Sequence, residues 1–240
     1  MDAREFAQLA AQFDAAETPA ATADEVVEQG RLLLGADHAG ISLIETRHRL
    51  RTVGTDDPVV LKADGLQYSL EEGPCYYGAW NSDTLSSDRI DADERWPSWG
   101  REAAKLGLVS ALAGELSGMD GRRLGCLNLY WQSPREFSRD DRSYVQIFTT
   151  HAAIALASSL RDAQLNIALD ARKVIGQAQG ILMERHALRA EQAFDVLRRY
   201  SQDHNIKLRE VAEFLVSHRE LPTSRAEYEA RLPETTAAEG

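Results

Sequence analysis

Three side chains near residue 180 have the types and the spacing to read a nucleic acid. Arg172, Gln179 and Met183 are separated by seven and then four residues, which puts them on a common side of an α-helix. An arginine holds phosphate or stacks on a splayed base, and a glutamine hydrogen-bonds a base edge. Arg198 and Arg199 follow on the next amphipathic segment, within reach of the same groove. Gly180 falls inside the first segment, where glycine costs about 1 kcal/mol relative to alanine. Two explanations stay open: relief of close packing, or approach of a phosphate or loop base to bare backbone. For any one arginine alone, a solvated helix face is the commoner reason.

Other reactive residues are sparse. Cys75 follows Pro74 at a loop-to-helix turn, where a thiol can have a lowered pKa and sense oxidants. An inert buried cysteine is the commoner outcome there, and Cys126, inside an apolar strand, reads as core. Tyr76, Tyr77, Trp80, Trp96 and Trp99 could wall a small-molecule pocket, although completing a core suits most of them better. The six histidines lack paired ligand spacing, so no metal site is expected. The acids Asp88, Asp91, Asp93 and Glu94 lack the glycine and terminal glutamate of an EF-hand loop, which favours a solvated loop. No nucleophile elbow, phosphate loop, dinucleotide fingerprint or metalloprotease helix is present. The expectation is a protein that is not an enzyme, with no cofactor that these residues name.

The elements that must position these residues emerge from pattern and charge. The 240 residues suit one large domain or two modest ones. No apolar run is long enough to span a membrane, and Met1-Asp2-Ala3-Arg4-Glu5 does not open a signal peptide; a cytoplasmic protein is expected. The net charge of −11 opposes phosphate binding by the whole chain. Residues 170–220, however, hold nine Lys or Arg against eight Asp or Glu, a local +1 that leaves −12 elsewhere.

Phe6, Leu9, Ala10 and Phe13 have helical spacing, and a second helix is predicted from a capping box of Thr22 and Glu25. Short β-rich runs follow at His38–Ile44, Leu50–Gly54, Val109–Leu116 and Arg122–Trp131, the last two joined by a glycine-bearing turn over 117–121. Trp96-Pro97-Ser98-Trp99 leads a helix ending near Leu106-Gly107. Ser138 and Asp141 cap a helix with no Pro or Gly before Gly176. Ile147, Ile154, Ala168, Ile175 and Leu182 share a seven-residue register, broken by Arg161, as in a two-chain stalk. Two helices joined near Asp162 are the alternative. Two amphipathic helices then bury Ala193, Phe194, Leu197 and Tyr200, and Leu208, Val211, Ala212 and Leu215. Residues 222–240 lack apolar periodicity and are expected to be disordered.

The run from Ala168 to Met183, with Arg172-Lys173, Gly176-Gln177-Ala178-Gln179-Gly180 and Ile181-Leu182-Met183, closely resembles the opening helix of ANTAR domains. The resemblance continues through Glu191, Ala193-Phe194, Leu197-Arg198, Ser201, Asn205, Leu208 and Val211-Ala212. It implies a dimerising three-helix module that binds paired RNA stem-loops and prevents transcription termination. The implied RNA-binding set is Arg172, Lys173, Gln177, Gln179, Gly180, Met183, Arg198 and Arg199. Two departures matter. Gln179 stands where the family often has Lys, which gives up a phosphate charge. Ala187 stands near a position usually glycine, at a cost of about 1 kcal/mol if φ is positive there.

Residues 1–160 are similar to a GAF domain by element order, by Glu71-Glu72-Gly73-Pro74-Cys75 and by the strand Leu124–Leu129. The expected α+β architecture is a GAF-like antiparallel sheet flanked by helices over 1–160, a long connecting helix, and the ANTAR module over 161–221. The expected function is a homodimeric antitermination regulator bound to tandem RNA stem-loops. Its N-terminal domain would sense a small-molecule ligand, a redox state or a protein partner, through a pocket of Tyr76, Trp80, Trp96 and Trp99 or through Cys75. No receiver-like pattern of acids supports control by aspartyl phosphorylation. Competing readings are a DNA-binding helix-turn-helix over the last two helices, and a ligand-binding protein whose helices only dimerise.

Overall fold

The structure is a computed structural model that describes residues 3–46, 49–55, 57–81, 84–118, 121–222 and 224–231. It divides into two compact units, Met1–Ala163 and Gln164–Gly240.

In the first unit, α1 (Ala3–Asp14) and α2 (Pro19–Leu34) precede β1 (His38–Thr46) and β2 (Arg49–Val53). Next come α3 (Pro58–Leu70), α4 (Pro74–Asn81), β3 (Leu85–Ser87), a 3-10 turn at Ile90–Ala92 and α5 (Pro97–Ala104). The hairpin of β4 (Ser110–Ser117) and β5 (Arg123–Trp131) then leads into α6 (Arg139–His186). The five strands form one sheet in the order β2-β1-β5-β4-β3, antiparallel at every pairing.

Strand alternation assigns two cores, because successive side chains point to opposite faces. Ile41, Leu112, Leu116, Leu127 and Leu129 pack on one face with Phe13, Val26, Val145, Phe148 and Leu156 of the helices. Each such buried side chain contributes about 1.5–3 kcal/mol. Gly114 lets α6 lie directly on β4: a Cβ there would stand 2.4 Å from the Val145 side chain and 2.9 Å from Thr149. The intervening positions Ser42, Cys126, Asn128 and Tyr130 turn to the opposite face, where α3, α4 and α5 lie.

Several local predictions change. Helix α2 starts four residues before the Thr22 cap, because Thr18-Pro19 is the better start. Thr18 Oγ1 accepts from Ala21 N at 3.1 Å, Pro19 fills the first turn, and Thr22 is buried within the helix. The Ser138 cap holds: Ser138 N donates to Asp141 Oδ2 at 2.9 Å and Asp141 N to Ser138 Oγ at 3.1 Å. Helix α6 then runs unbroken for 48 residues, without a joint at Asp162. The seven-residue register does not keep one environment along it. Ile147, Ile154 and Ala168 are exposed, whereas Ile175 and Leu182 pack into the second unit's own core. Of the turn over 117–121, Met119 and Asp120 lie outside the described residues, as does the side chain of Phe6.

The second unit packs the C-terminal part of α6 with α7 (Ala190–His204), α8 (Leu208–His218) and α9 (Arg225–Ala230). Ala178, Leu182, Ala193, Leu197, Val211, Ala212 and Leu215 are buried in its core, with Ile206 and Phe214 added from positions the helical pattern did not select. Phe194 and Tyr200 are only half-buried. Helix α9 corrects the expectation of disorder for part of 222–240. Ser224 caps it, its Oγ accepting from Glu227 N at 3.2 Å, and Tyr228 is buried against Phe214 with ring centroids 5.6 Å apart. One aromatic anchor and a cap suffice where no apolar period exists. Residues 232–240 lie outside the described residues.

Candidate functional site

The outward side of α6 in the second unit carries the polar residues singled out from sequence. Ala178 and Leu182 face the core, and Arg172, Lys173, Gly176, Gln177 and Gly180 are all exposed. A Cβ built on Gly176 or Gly180 would meet nothing within 4 Å. Packing inside this chain therefore requires neither glycine. Among the described residues Arg172, Lys173 and Arg199 have no ion pair. Arg198 is held by Asp195 at 2.7 Å.

Gln179 and Met183 sit differently. Both are half-buried at the border of the core, and Gln179 Nε2 donates to Ala190 O at 3.0 Å across the turn into α7. Its amide is thus engaged in holding that turn. Met183 packs against the module core. Ala187, after the last residue of α6, has φ of 51°, so the alanine does occupy a left-handed position where glycine is favoured. The turn is secured by Arg185, whose guanidinium donates to the carbonyl of Arg219 beyond α8, and by the backbone N–H of Arg189, which donates to Gln192 Oε1 at 3.0 Å.

In the first unit the aromatic residues divide. Trp96 and Trp99 are fully buried, 6.3 Å apart edge to face, and Trp99 Nε1 donates to Ala63 O at 3.2 Å. They are core. Tyr76 and Trp80 are half-buried, 6.4 Å apart, and Tyr77 is exposed. Three polar surface clefts of about 400, 580 and 310 Å³ are lined by other residues, and by none of these aromatics. The acidic run around Asp88 is neutralised locally, Asp91 by Arg89 at 2.8 Å and Asp93 by Arg95 at 2.7 Å. No metal-binding cluster occurs among the described residues.

Residues that the sequence did not single out form a polar network inside this unit. Asp64 of α3 is completely buried. It accepts from Tyr130 OH at 2.5 Å, Thr52 Oγ1 at 2.9 Å, Asn128 Nδ2 at 3.1 Å and Ser42 Oγ at 3.5 Å. Burial raises the carboxyl from the ordinary 3.8 to about 6, and the four hydrogen bonds limit the rise. The phenol of Tyr68 bonds Ser42 at 2.5 Å and Thr52 at 2.8 Å, and burial drives it and Tyr130 above the usual range. Asn128 Oδ1 is buried without a partner. The sequence signal for this network was slight. Only Asn128, polar between Leu127 and Leu129, was visible, since α3 buries Asp64 and Gln67 beside Val60 and Ala63.

The Glu71–Cys75 segment docks on this network. Glu71 ends α3 at φ 55°. Glu72 Oε2 accepts from Ser98 N at 2.7 Å and Trp99 N at 2.9 Å, capping α5. Burial alone would raise the Glu72 carboxyl, but those backbone donors hold it below the ordinary value. At Gly73 (φ 116°) a Cβ would lie 2.3 Å from Gln67 Oε1. Gln67 uses that oxygen to accept from Cys75 N at 2.8 Å and its Nε2 to reach Tyr130 OH at 2.9 Å.

A ligand-sensing type of domain followed by a helical output module defines a class of signal-responsive regulators. Family models match a GAF domain over residues 16–157 and an ANTAR domain over residues 163–216. The chain belongs to the GAF domain family and carries an ANTAR domain after it. Both domains are of regulatory, not catalytic, types. No curated protein matches the chain.

Solved structures share the first unit's fold. The GAF domain of an Acinetobacter phosphoenolpyruvate-protein phosphotransferase aligns with TM-score 0.52 and 14% identity, covering 68% of this chain and 99% of that one. A free methionine-R-sulfoxide reductase from Neisseria meningitidis gives 0.50 and 16%, covering 65% and 88%. A bacteriophytochrome from R. palustris gives 0.54 and 11%, covering 82% of this chain and 47% of that one. At these identities the likeness is one of fold. No helix among the described residues is long and apolar enough to cross a membrane.

Proposed function

We propose that this regulator acts on RNA: its ANTAR modules, paired in a homodimer, hold tandem stem-loops of a nascent transcript and prevent terminator formation. The observation that carries the reading is the bare outer face of α6. Gly176 and Gly180 leave backbone open there, next to the unpaired cations Arg172 and Lys173. Two mid-helix glycines cost about 2 kcal/mol together, and nothing within the chain offsets that cost. A phosphate or loop base approaching closely would.

The homodimer is supported by apolar side chains left in water on the same helix, Leu165 and Leu169 at 61% and 60% exposure. A second chain would cover them. The GAF domain supplies the signal, as a small molecule, an oxidant or a protein partner. The signal acts by binding one dimer arrangement more tightly than another.

A salt titration of binding to a tandem stem-loop RNA, with matched duplex DNA as competitor, tests this. Binding should prefer RNA and weaken with salt, and Arg172→Ala should reduce the salt slope by about one. Equal competition by duplex DNA would favour a helix-turn-helix reading of α7 and α8. No nucleic-acid binding by a purified dimer at low salt, in any ligand or redox state, would sink the RNA reading.

A further inference from the structure

The chain has two cysteines, and the fold places one against the other. Cys75 is the second residue of α4, and Cys126 is on β5, turned toward the α4 side of the sheet. They are 51 positions apart, yet Cys126 Sγ donates to Cys75 O at 3.7 Å, which sets the second thiol against the residue that carries the first. Both are fully buried, in one cluster with Leu50, Ala79 and Ala113. Cys75 is also held in place, since its N–H is bound by Gln67 Oε1 at 2.8 Å. No metal-binding cluster among the described residues gives the pair another use.

We propose that Cys75 and Cys126 are a redox pair that closes to a disulfide joining α4 to β5, with a hydroperoxide as the oxidant. The Cys75 sulfur loses its proton and attacks one peroxide oxygen. The O–O bond breaks, the leaving oxygen takes the proton and departs as water or alcohol, and Cys75 becomes a sulfenic acid. The Cys126 sulfur then attacks the Cys75 sulfur. The S–S bond forms, the S–O bond breaks, and the departing hydroxide leaves as water with the Cys126 proton. Two thiols lose two electrons, and one peroxide gains them.

The order follows from surroundings. Contact with Cys75, then burial, pushes the Cys126 thiol well above its ordinary value. Its S–H donates to the Cys75 carbonyl, whereas Cys75 is the second residue of α4, where a helix N-terminus favours the thiolate. Cys75 is the first nucleophile and Cys126 the resolving partner. Burial slows entry, so the reaction waits on local opening and selects small uncharged oxidants. The bridge adds a covalent tie between a helix and a central strand that are otherwise joined by packing and by hydrogen bonds such as Arg123 to the Trp80 carbonyl, and so limits motion of α4 on the sheet.

The test uses the full chain and hydrogen peroxide, followed by unfolding, alkylation and mass measurement. The expected product is a monomeric chain lighter by two hydrogens, with both thiols lost together and both restored by dithiothreitol. Cys126→Ser should accumulate a dimedone-trappable sulfenic acid at Cys75, whereas Cys75→Ser should leave Cys126 unreacted over the same time. Tryptophan emission confirms that each variant is folded. Two alkylatable thiols after treatment that fully oxidises the unfolded chain would overturn the proposal, as would bridges only between chains. The readout is covalent, so it does not depend on the RNA reading.

Discussion

The two units bury opposite kinds of chemistry. Every buried Asp, Asn, Gln, Ser and Thr among the described residues is in the first unit, whereas the second unit's core is apolar apart from the tip of Tyr228. The second unit instead leaves polar groups and bare backbone outside, at Arg172, Lys173, Gly176, Gln177 and Gly180. A connected polar core is strongly interdependent, because removing one partner strands the others without water. An apolar three-helix core tolerates change at its surface. The first arrangement suits a domain whose state changes with a local chemical event, and the second suits a platform.

The sharpest way to break this contrast is at Asp64. Asp64→Ala strands the donors of Tyr130, Thr52 and Asn128, and should destabilise the first unit by about 3–5 kcal/mol. All four tryptophans belong to that unit, so denaturant unfolding followed by tryptophan emission reads it alone. A cost below 1 kcal/mol would mean the network is not a unit.

The same carboxyl gives a pH dependence of definite sign. Its folded value, about 6, is above the ordinary 3.8, so the folded state holds the proton more tightly. That stabilisation is complete below the ordinary value and is lost as pH rises through about 6. The difference corresponds to roughly 3 kcal/mol. Relative to Asp64→Asn, the native chain should lose stability between about pH 4 and pH 7; parallel profiles would remove Asp64 as the cause.

Smaller effects are expected in the second unit. Tyr228→Ala removes the buried anchor of α9 and should cost roughly 2 kcal/mol, seen as earlier loss of helical circular dichroism with tryptophan emission unchanged. Ala187→Gly relieves the left-handed alanine and should stabilise by about 1 kcal/mol. Gly180→Ala should also stabilise the helix, by about 1 kcal/mol, yet weaken RNA binding on the order of tenfold. A variant that gains stability and keeps full RNA affinity would show that the open backbone at Gly180 is not part of the interface.

Legibility followed the same division. The second unit was readable because its helices are amphipathic and its key residues are close in sequence. Ala178, Leu182, Ala193 and Leu197 fall at helical spacing, and the outward residues are their complement. What escaped there was Gln179, whose partner Ala190 is fixed by the turn into α7, and Tyr228, an isolated anchor. In the first unit the main strands were legible by alternation. Helix α3 was not, because Asp64 and Gln67 share its inward face with Val60 and Ala63 and interrupt the apolar period that would signal a helix.

The sequence alone determined the domain order, the start of the long helix at Ser138, and the helical faces of the ANTAR module, because each depends on local spacing and capping. That this helix runs on past Asp162 was decided by the structure. Only the tertiary structure decided that Trp96 and Trp99 are core, that Gly180 serves no internal packing, and that Asp64, Asn128, Tyr130, Cys75 and Cys126 meet in one interior. Those facts depend on sheet order and on the docking of α3 and α4. The partners are tens of residues apart, and no local pattern encodes their meeting.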